Sequence, residues 1–305
     1  MQKRVAILLF VLVLASCTGV QNGAQNPPSE NWRTGTQGIA LRYMLLPQKT
    51  FDTEEFNAVL ELRNLGAFPV HGPGDRVYIS GFDPSIVTGI PFTGNQLKLD
   101  AKDQFNSQGG YDTTQFKGIV RKLTTDKYPF TVLATACYDY ETQASGTVCI
   151  DPDPFAPTSR VKACFASSVG LGSQAAPVAV SSIDVDARPR KTIFKIRMSN
   201  AGGGELFKYG GLFLNHCSPY DSKGLEFDDV NFVQLVDVTV SGVSIKQSCK
   251  PVDGDYIRLN SGSAEIVCEF NNIRSNAAYT TPLTVILRYG YRTQISQQVS
   301  IVKSP

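Results

Sequence analysis

Apolar and polar residues alternate with a period of two along much of this chain. In Ala58-Val59-Leu60-Glu61-Leu62-Arg63-Asn64-Leu65-Gly66 the alternation runs into Asn-x-Gly, and Phe194-Lys195-Ile196-Arg197-Met198-Ser199-Asn200-Ala201-Gly202 repeats it. Such alternation marks a half-buried strand, and Asn and Gly supply the turn that ends it. The same signal predicts strands at Ile39–Met44, Glu55–Arg63, Arg76–Ser80, Gly118–Leu123 and Phe130–Tyr140. It predicts six more at Val178–Val185, Thr192–Met198, Val233–Val240, Tyr256–Leu259, Ala264–Phe270 and Thr284–Tyr291. Gly, Pro, Asn and Asp separate these runs, and a helical period is lacking, so one short helix at most is expected. The expected fold is all-β: two tandem immunoglobulin-like β-sandwich domains.

The duplication extends beyond one strand. Tyr138-Asp139-Tyr140-Glu141-Thr142-Gln143-Ala144-Ser145 aligns without a gap on Tyr289-Gly290-Tyr291-Arg292-Thr293-Gln294-Ile295-Ser296, and the identity resumes at Val148 with Val299 and Ile150 with Ile301. Upstream, Pro129-Phe130-Thr131-Val132-Leu133 matches Pro282-Leu283-Thr284-Val285-Ile286. Each copy reads as a long strand, a tight turn near Gln-x-Ser and a closing strand. The expected domains are residues 36–150 and 177–303, with residues 151–176 as a linker opened by Asp151-Pro152-Asp153-Pro154 and stiffened by its prolines.

The N-terminal end carries a different pattern. Lys3 and Arg4 precede an apolar run from Val5 to Leu14, shorter than the roughly 20 residues of a membrane-spanning helix and suited to a signal peptide. Leu14-Ala15-Ser16-Cys17 follows, and it resembles the lipobox of prokaryotic lipoproteins. That resemblance implies removal of residues 1–16 and a diacylglyceryl thioether on Cys17, each buried CH₂ adding about 0.8 kcal/mol of membrane binding. Residues 17–35 then form a lipidated, flexible tether, Gly-, Gln-, Asn- and Pro-rich up to Pro28. The expected location is the outer face of a cell-envelope membrane.

Charge narrows the partners. Two of the 29 basic residues, Lys3 and Arg4, lie in the segment expected to be removed, and none of the 27 acidic ones does. The mature chain is therefore neutral, and nucleic acid is not an expected partner. Six cysteines remain: Cys137, Cys149, Cys164, Cys217, Cys249 and Cys268. An even number in an exported chain reads as disulfides. Three precede residue 165 and three follow residue 216, so full pairing requires an odd number of bridges between the groups. Cys164 is the best placed to cross, and Cys249 and Cys268 flank a predicted hairpin and can pair locally.

The strands ending in Asn-x-Gly, each followed by a terminal hairpin, are similar to prokaryotic cell-adhesion-related (CARDB) domains over most of residues 36–303. The resemblance implies immunoglobulin-like surface modules in tandem, with no catalytic residues to transfer. The chain departs from it in its cysteines and in a long insertion near Lys98–Tyr111.

Candidate chemistry is sparse. The histidines are His71 and His216; His216 and Cys217 are sequence neighbours, and on a strand such neighbours would point to opposite faces. Asp151/Asp153, Asp184/Asp186 and Asp228/Asp229 pair carboxylates but fall short of the six or more oxygens of a calcium site. The glycine runs lack the context of a phosphate loop, and neither a metal nor a cofactor is expected. Tyr138/Tyr140 and Tyr289/Tyr291 each place two rings on one strand face, as core packing pairs or as an aromatic binding surface for sugars or peptides. The expected function is non-catalytic: adhesion, spacing or envelope scaffolding, with envelope proteins or glycans as partners. The alternatives are a solute- or glycan-binding lipoprotein or an envelope hydrolase.

Overall fold

A computed structural model describes residues 31–155, 162–271 and 277–305. Cys17, the tether up to Glu30 and part of the proline-rich linker lie outside the described residues. In the first repeat the strands are β1 (Ile39–Leu45), β2 (Lys49–Phe51), β3 (Glu55–Asn64), β4 (Arg76–Ser80), β5 (Val87–Thr88), β6 (Asn95–Gln96), β7 (Tyr111–Val120) and β8 (Lys127–Ile150). Then come β9 (Val169–Gly170), β10 (Val178–Arg188), β11 (Lys191–Asn200), β12 (Glu205–Phe207), β13 (Phe232–Val240), β14 (Val243–Ser244), β15 (Tyr256–Arg258), β16 (Ser263–Asn271) and β17 (Tyr279–Val302). Helix α1 (Gly211–Cys217) sits between β12 and β13. The expected all-β sandwich is the observed class.

Three sheets build it. Two four-stranded sheets run β1-β3-β7-β5 and β16-β11-β10-β9, and a nine-stranded sheet has the path β14-β13-β17-β8-β4-β6. The period-two pattern is realised directly: in β3 every second residue from Phe56 to Asn64 is buried. Those side chains enter one continuous core with Val132, Ala134 and Tyr138 of β8 and Val285, Leu287 and Tyr289 of β17. Both small sheets cover the same face of the large one, since Tyr138 of β8 bonds β1 while its neighbour Tyr289 of β17 bonds β10.

The long strands correct the predicted hairpins. No turn occurs at Gln143-Ala144-Ser145 or Gln294-Ile295-Ser296; β8 and β17 each run unbroken for 24 residues and pair antiparallel throughout. The polar residues there alternate outward: Gln143 and Ser145 are exposed while Ala144 is buried. Tyr140 pairs with Tyr289 and Tyr138 with Tyr291, about a centre where Asp139 pairs with Gly290. The aligned positions of the two repeats therefore exchange places across this ladder, which gives it a local pseudo-two-fold axis. The repeats meet through shared backbone hydrogen bonds, and residues 31–305 form one compact unit.

Three disulfides join Cys137–Cys217, Cys149–Cys164 and Cys249–Cys268. The local Cys249–Cys268 pair and a single crossing bridge match the expectation. The crossing residue does not: Cys164 bonds back to Cys149, and Cys137 reaches Cys217. The reason is topological. Cys137 lies near the middle of β8 on the face away from the main core, and α1 packs there with Tyr78, Phe207, Leu214 and Cys217 in a second small core.

Candidate functional site

The four tyrosines that could have formed a binding surface are interior. Tyr138, Tyr140 and Tyr289 have no solvent exposure and Tyr291 has 1%. A buried phenol needs partners, and each has a symmetric set. Ile39 N–H and Val178 N–H donate to Tyr138 and Tyr289 Oη at 3.0 and 3.1 Å. Each of these phenols also bonds a threonine of the opposite repeat: Thr293 Oγ1 at 3.0 Å from Tyr138, and Thr142 Oγ1 at 2.8 Å from Tyr289. Tyr140 and Tyr291 donate to Asn64 and Asn200 Oδ1 at 3.0 and 2.9 Å. They accept from Phe68 N–H (3.4 Å) and Gly204 N–H (2.8 Å). Burial pushes the phenol pKa of all four upward.

This explains the Asn-x-Gly repeat. Besides ending its strand, the Asn Oδ1 accepts from Gly66 N–H at 3.1 Å in one repeat and Gly202 N–H at 3.4 Å in the other. A Cβ at either glycine would collide with the phenol oxygen of Tyr140 or Tyr291. The cluster is a structural centre and not a sugar-stacking surface, because its rings are out of reach of any ligand.

Each carboxylate pair is engaged through at least one of its members. Asp151 accepts from Lys162 Nζ at 2.6 Å. Asp184 bonds Ser168 and Arg197, and Asp186 bonds Arg188. Asp229 accepts from Glu226 N–H, and its carboxylate lies 3.9 Å from His216 Nδ1. Among the described residues no three His, Cys, Asp or Glu side chains gather as a metal site. His216 and Cys217 lie on α1 rather than on a strand, and Cys217 is bonded to Cys137, which leaves no thiolate beside the imidazole.

A carboxylate pair that pattern reading missed lies at the centre of the ladder. Asp75 accepts from Asp139 N–H at 3.0 Å and Gly72 N–H at 2.6 Å, and Asp139 accepts from Gly210 N–H at 3.1 Å. Burial, with help from the Asp75 charge, pushes Asp139 up to about 7; burial raises Asp75 as well. These contacts tie β4 and the turn before α1 to β8.

Beside this junction lies an open cleft of about 380 Å³. One wall comes from the first repeat. Arg76 and Tyr78 project from β4 on the side of the crossing disulfide, Arg76 being the register partner of Cys137, and Phe92 and Thr93 follow β5. The other wall is the end of α1 and the segment after it: Asn215, Ser218, Tyr220 and Asp221. Tyr220 donates a hydrogen bond to Ile79 C=O, and its ring lies 4.5 Å from that of Phe92. Burial pushes the Tyr220 phenol up to about 12. Tyr78 is raised by burial too, against the pull of a Ser218 hydrogen bond and the Arg76 charge. Asp221 is held by the N–H groups of Lys223 and Gly224. None of the ion pairs among the described residues involves Arg76. The cleft left no motif in the sequence, because its walls are some 120 residues apart and are brought together by the fold, through the β8–β17 ladder, the Cys137–Cys217 bridge and the Tyr220 contacts with Ile79 and Phe92.

The chain matches no known family model and no curated protein, so the reading of its function rests on this geometry.

Proposed function

We propose that this chain is an exported, lipid-tethered display module of a cell envelope, acting by binding in adhesion, spacing or scaffolding rather than by catalysis. One observation carries the reading: two repeats are locked into one body by a 24-residue strand pair and a disulfide that crosses between them. At about 3.3 Å per residue that ladder amounts to roughly 75 Å of continuous pairing, held by side-by-side hydrogen bonds that must break together under shear. Such a body suits a part that holds a position or carries load.

The remaining support is consistent with it. Three disulfides indicate an oxidising, exported environment, and no helix among the described residues is long and apolar enough to cross a membrane. The lipobox at Leu14–Cys17 supplies the anchor, and a neutral mature chain favours protein or glycan partners over polyanions.

The test has two arms. Mass spectrometry of the N-terminal peptide is expected to find a lipidated Cys17, and an unmodified peptide beginning elsewhere would remove the anchor from the proposal. The full-length chain is then screened against envelope polysaccharides, surface proteins and a hydrolase panel. Saturable binding without turnover is expected; turnover abolished by substituting one Asp or His would overturn the non-catalytic reading.

A further inference from the structure

The Arg76 cleft has a composition that selects its occupant. We propose that it binds the acidic ring of a saccharide, one carboxylate and several hydroxyls per ring, and this rests on the display reading above. The guanidinium of Arg76 has no acidic partner among the described residues and offers the planar fork that suits a carboxylate. Phe92 is 51% exposed with its ring against Tyr220, an apolar face held in place for the C–H face of a pyranose. Thr93 and Asn215 carry side-chain hydrogen-bonding groups on opposite walls with no protein partner among the described residues.

Asp221 narrows the choice further. Its carboxylate beside the cleft opposes a dianion such as phosphate and accepts from hydroxyl donors, which sugars have in number. The cleft is open and its volume is that of a small-ligand site, so it suits one or two rings of a chain that continues into solvent. Its walls cannot drift apart, because Cys217 ends α1 one residue before Ser218 and is bonded to the register partner of Arg76.

The test is calorimetric titration of the full-length chain, purified in detergent, with glucuronic acid, a galacturonic acid oligomer, glucose and inorganic phosphate. Both acidic sugars are expected to bind, glucose about tenfold more weakly or not at all, and phosphate not to compete. Binding by the oligomer but not by the free acid assigns the site to polysaccharide; binding by both admits free sugar acids. Arg76→Gln and Phe92→Ala are each expected to weaken acidic-sugar binding about tenfold, and Arg76→Lys less, since charge remains and the fork is lost. Asn215→Ala, on the exposed end of the helix, carries the test should a strand variant misfold, and unchanged thermal melting certifies each variant. Equal binding of glucose, competition by phosphate, or wild-type binding in Arg76→Gln and Phe92→Ala overturns the proposal. Absence of acidic-sugar binding while the chain still captures envelope proteins overturns this assignment and leaves the display reading standing.

Discussion

Tyr140 and Tyr289 face each other across the β8–β17 ladder, ring centroids 6.3 Å apart, and each accepts a hydrogen bond from the backbone of its own repeat, Tyr140 from Phe68 N–H after β3 and Tyr289 from Val178 N–H at the start of β10. Removing one phenol oxygen should therefore strand a buried backbone N–H. Tyr289→Phe leaves Val178 N–H and one acceptor position of Thr142 without a partner. The expected loss is about 1–3 kcal/mol, and Tyr138→Phe, which orphans Ile39 N–H, should cost a similar amount. Urea unfolding of the two variants and their double combination checks this. A loss near zero in both would mean that the phenols are dispensable.

The Cys137–Cys217 bridge closes a loop with a sequence separation of 80. A loop of this length confines the unfolded chain strongly, and removing the bridge should lower stability by about 2–4 kcal/mol. The paired substitution Cys137→Ala with Cys217→Ala, compared with the same change at Cys249 and Cys268, separates the crossing bridge from a local one. The crossing pair is expected to cost more, because its loop is longer than the separation of 19 between the local pair.

Asp139 sets a pH dependence near neutrality. Its carboxyl is raised to about 7 in the folded chain by burial, while in the unfolded chain it titrates near 3.9. The folded state thus holds the proton more tightly, and each tenfold gain in proton affinity is worth about 1.4 kcal/mol. The stabilisation is complete below about pH 4 and is lost as pH rises from there through about 7. Asp139→Asn keeps an acceptor for Gly210 N–H and should flatten the stability profile between about pH 4 and 7, the window set by the two values above. An unchanged slope would sink this assignment.

Asp52 behaves in the opposite sense. It accepts from Ser304 Oγ at 2.6 Å, Ser304 N–H at 2.6 Å and Leu123 N–H at 2.9 Å, and these bonds hold its carboxyl down at about 2. A depressed carboxyl stabilises the fold above its unfolded value near 3.9, and that contribution disappears as pH falls through about 2. Ser304→Ala should weaken the acid resistance of the fold while leaving stability at pH 7 less affected than Asp52→Ala does. Circular dichroism during acid titration reads both.

Much of this architecture is legible in the residues and some is not, for identifiable reasons. β4 occupies Arg76–Ser80 as its alternation predicts, and the Asn-x-Gly ends of β3 and β11 fall at Asn64 and Asn200. Gln143–Ser145 misleads because a strand with one solvated face shows the same polar residues as a turn; only pairing with β17 decides between them. The strand predicted at Gly118–Leu123 begins earlier, at Tyr111, because its first residues pair with β3 while their side chains stay largely exposed. The tyrosines carry both readings until burial is known. Cys137 could not be matched to Cys217 by counting, since α1 has only seven residues and no lasting period to announce where it packs. The cleft is invisible for the same reason: Arg76 and Tyr220 share no local pattern.

The axis through Asp139 and Gly290 has a consequence for how this molecule can vary. Two identical chains paired about such an axis would present the same residue twice at its centre, and any substitution would be imposed on both sides. Here one chain supplies both sides, so an aspartate can oppose a glycine. The aspartate holds the turn before α1, and the glycine leaves the space in which the Phe207 ring lies. With both repeats in one polypeptide neither has to copy the other, so one flank of the ladder alone can carry the helix, the bridging cysteine and the cleft beside them.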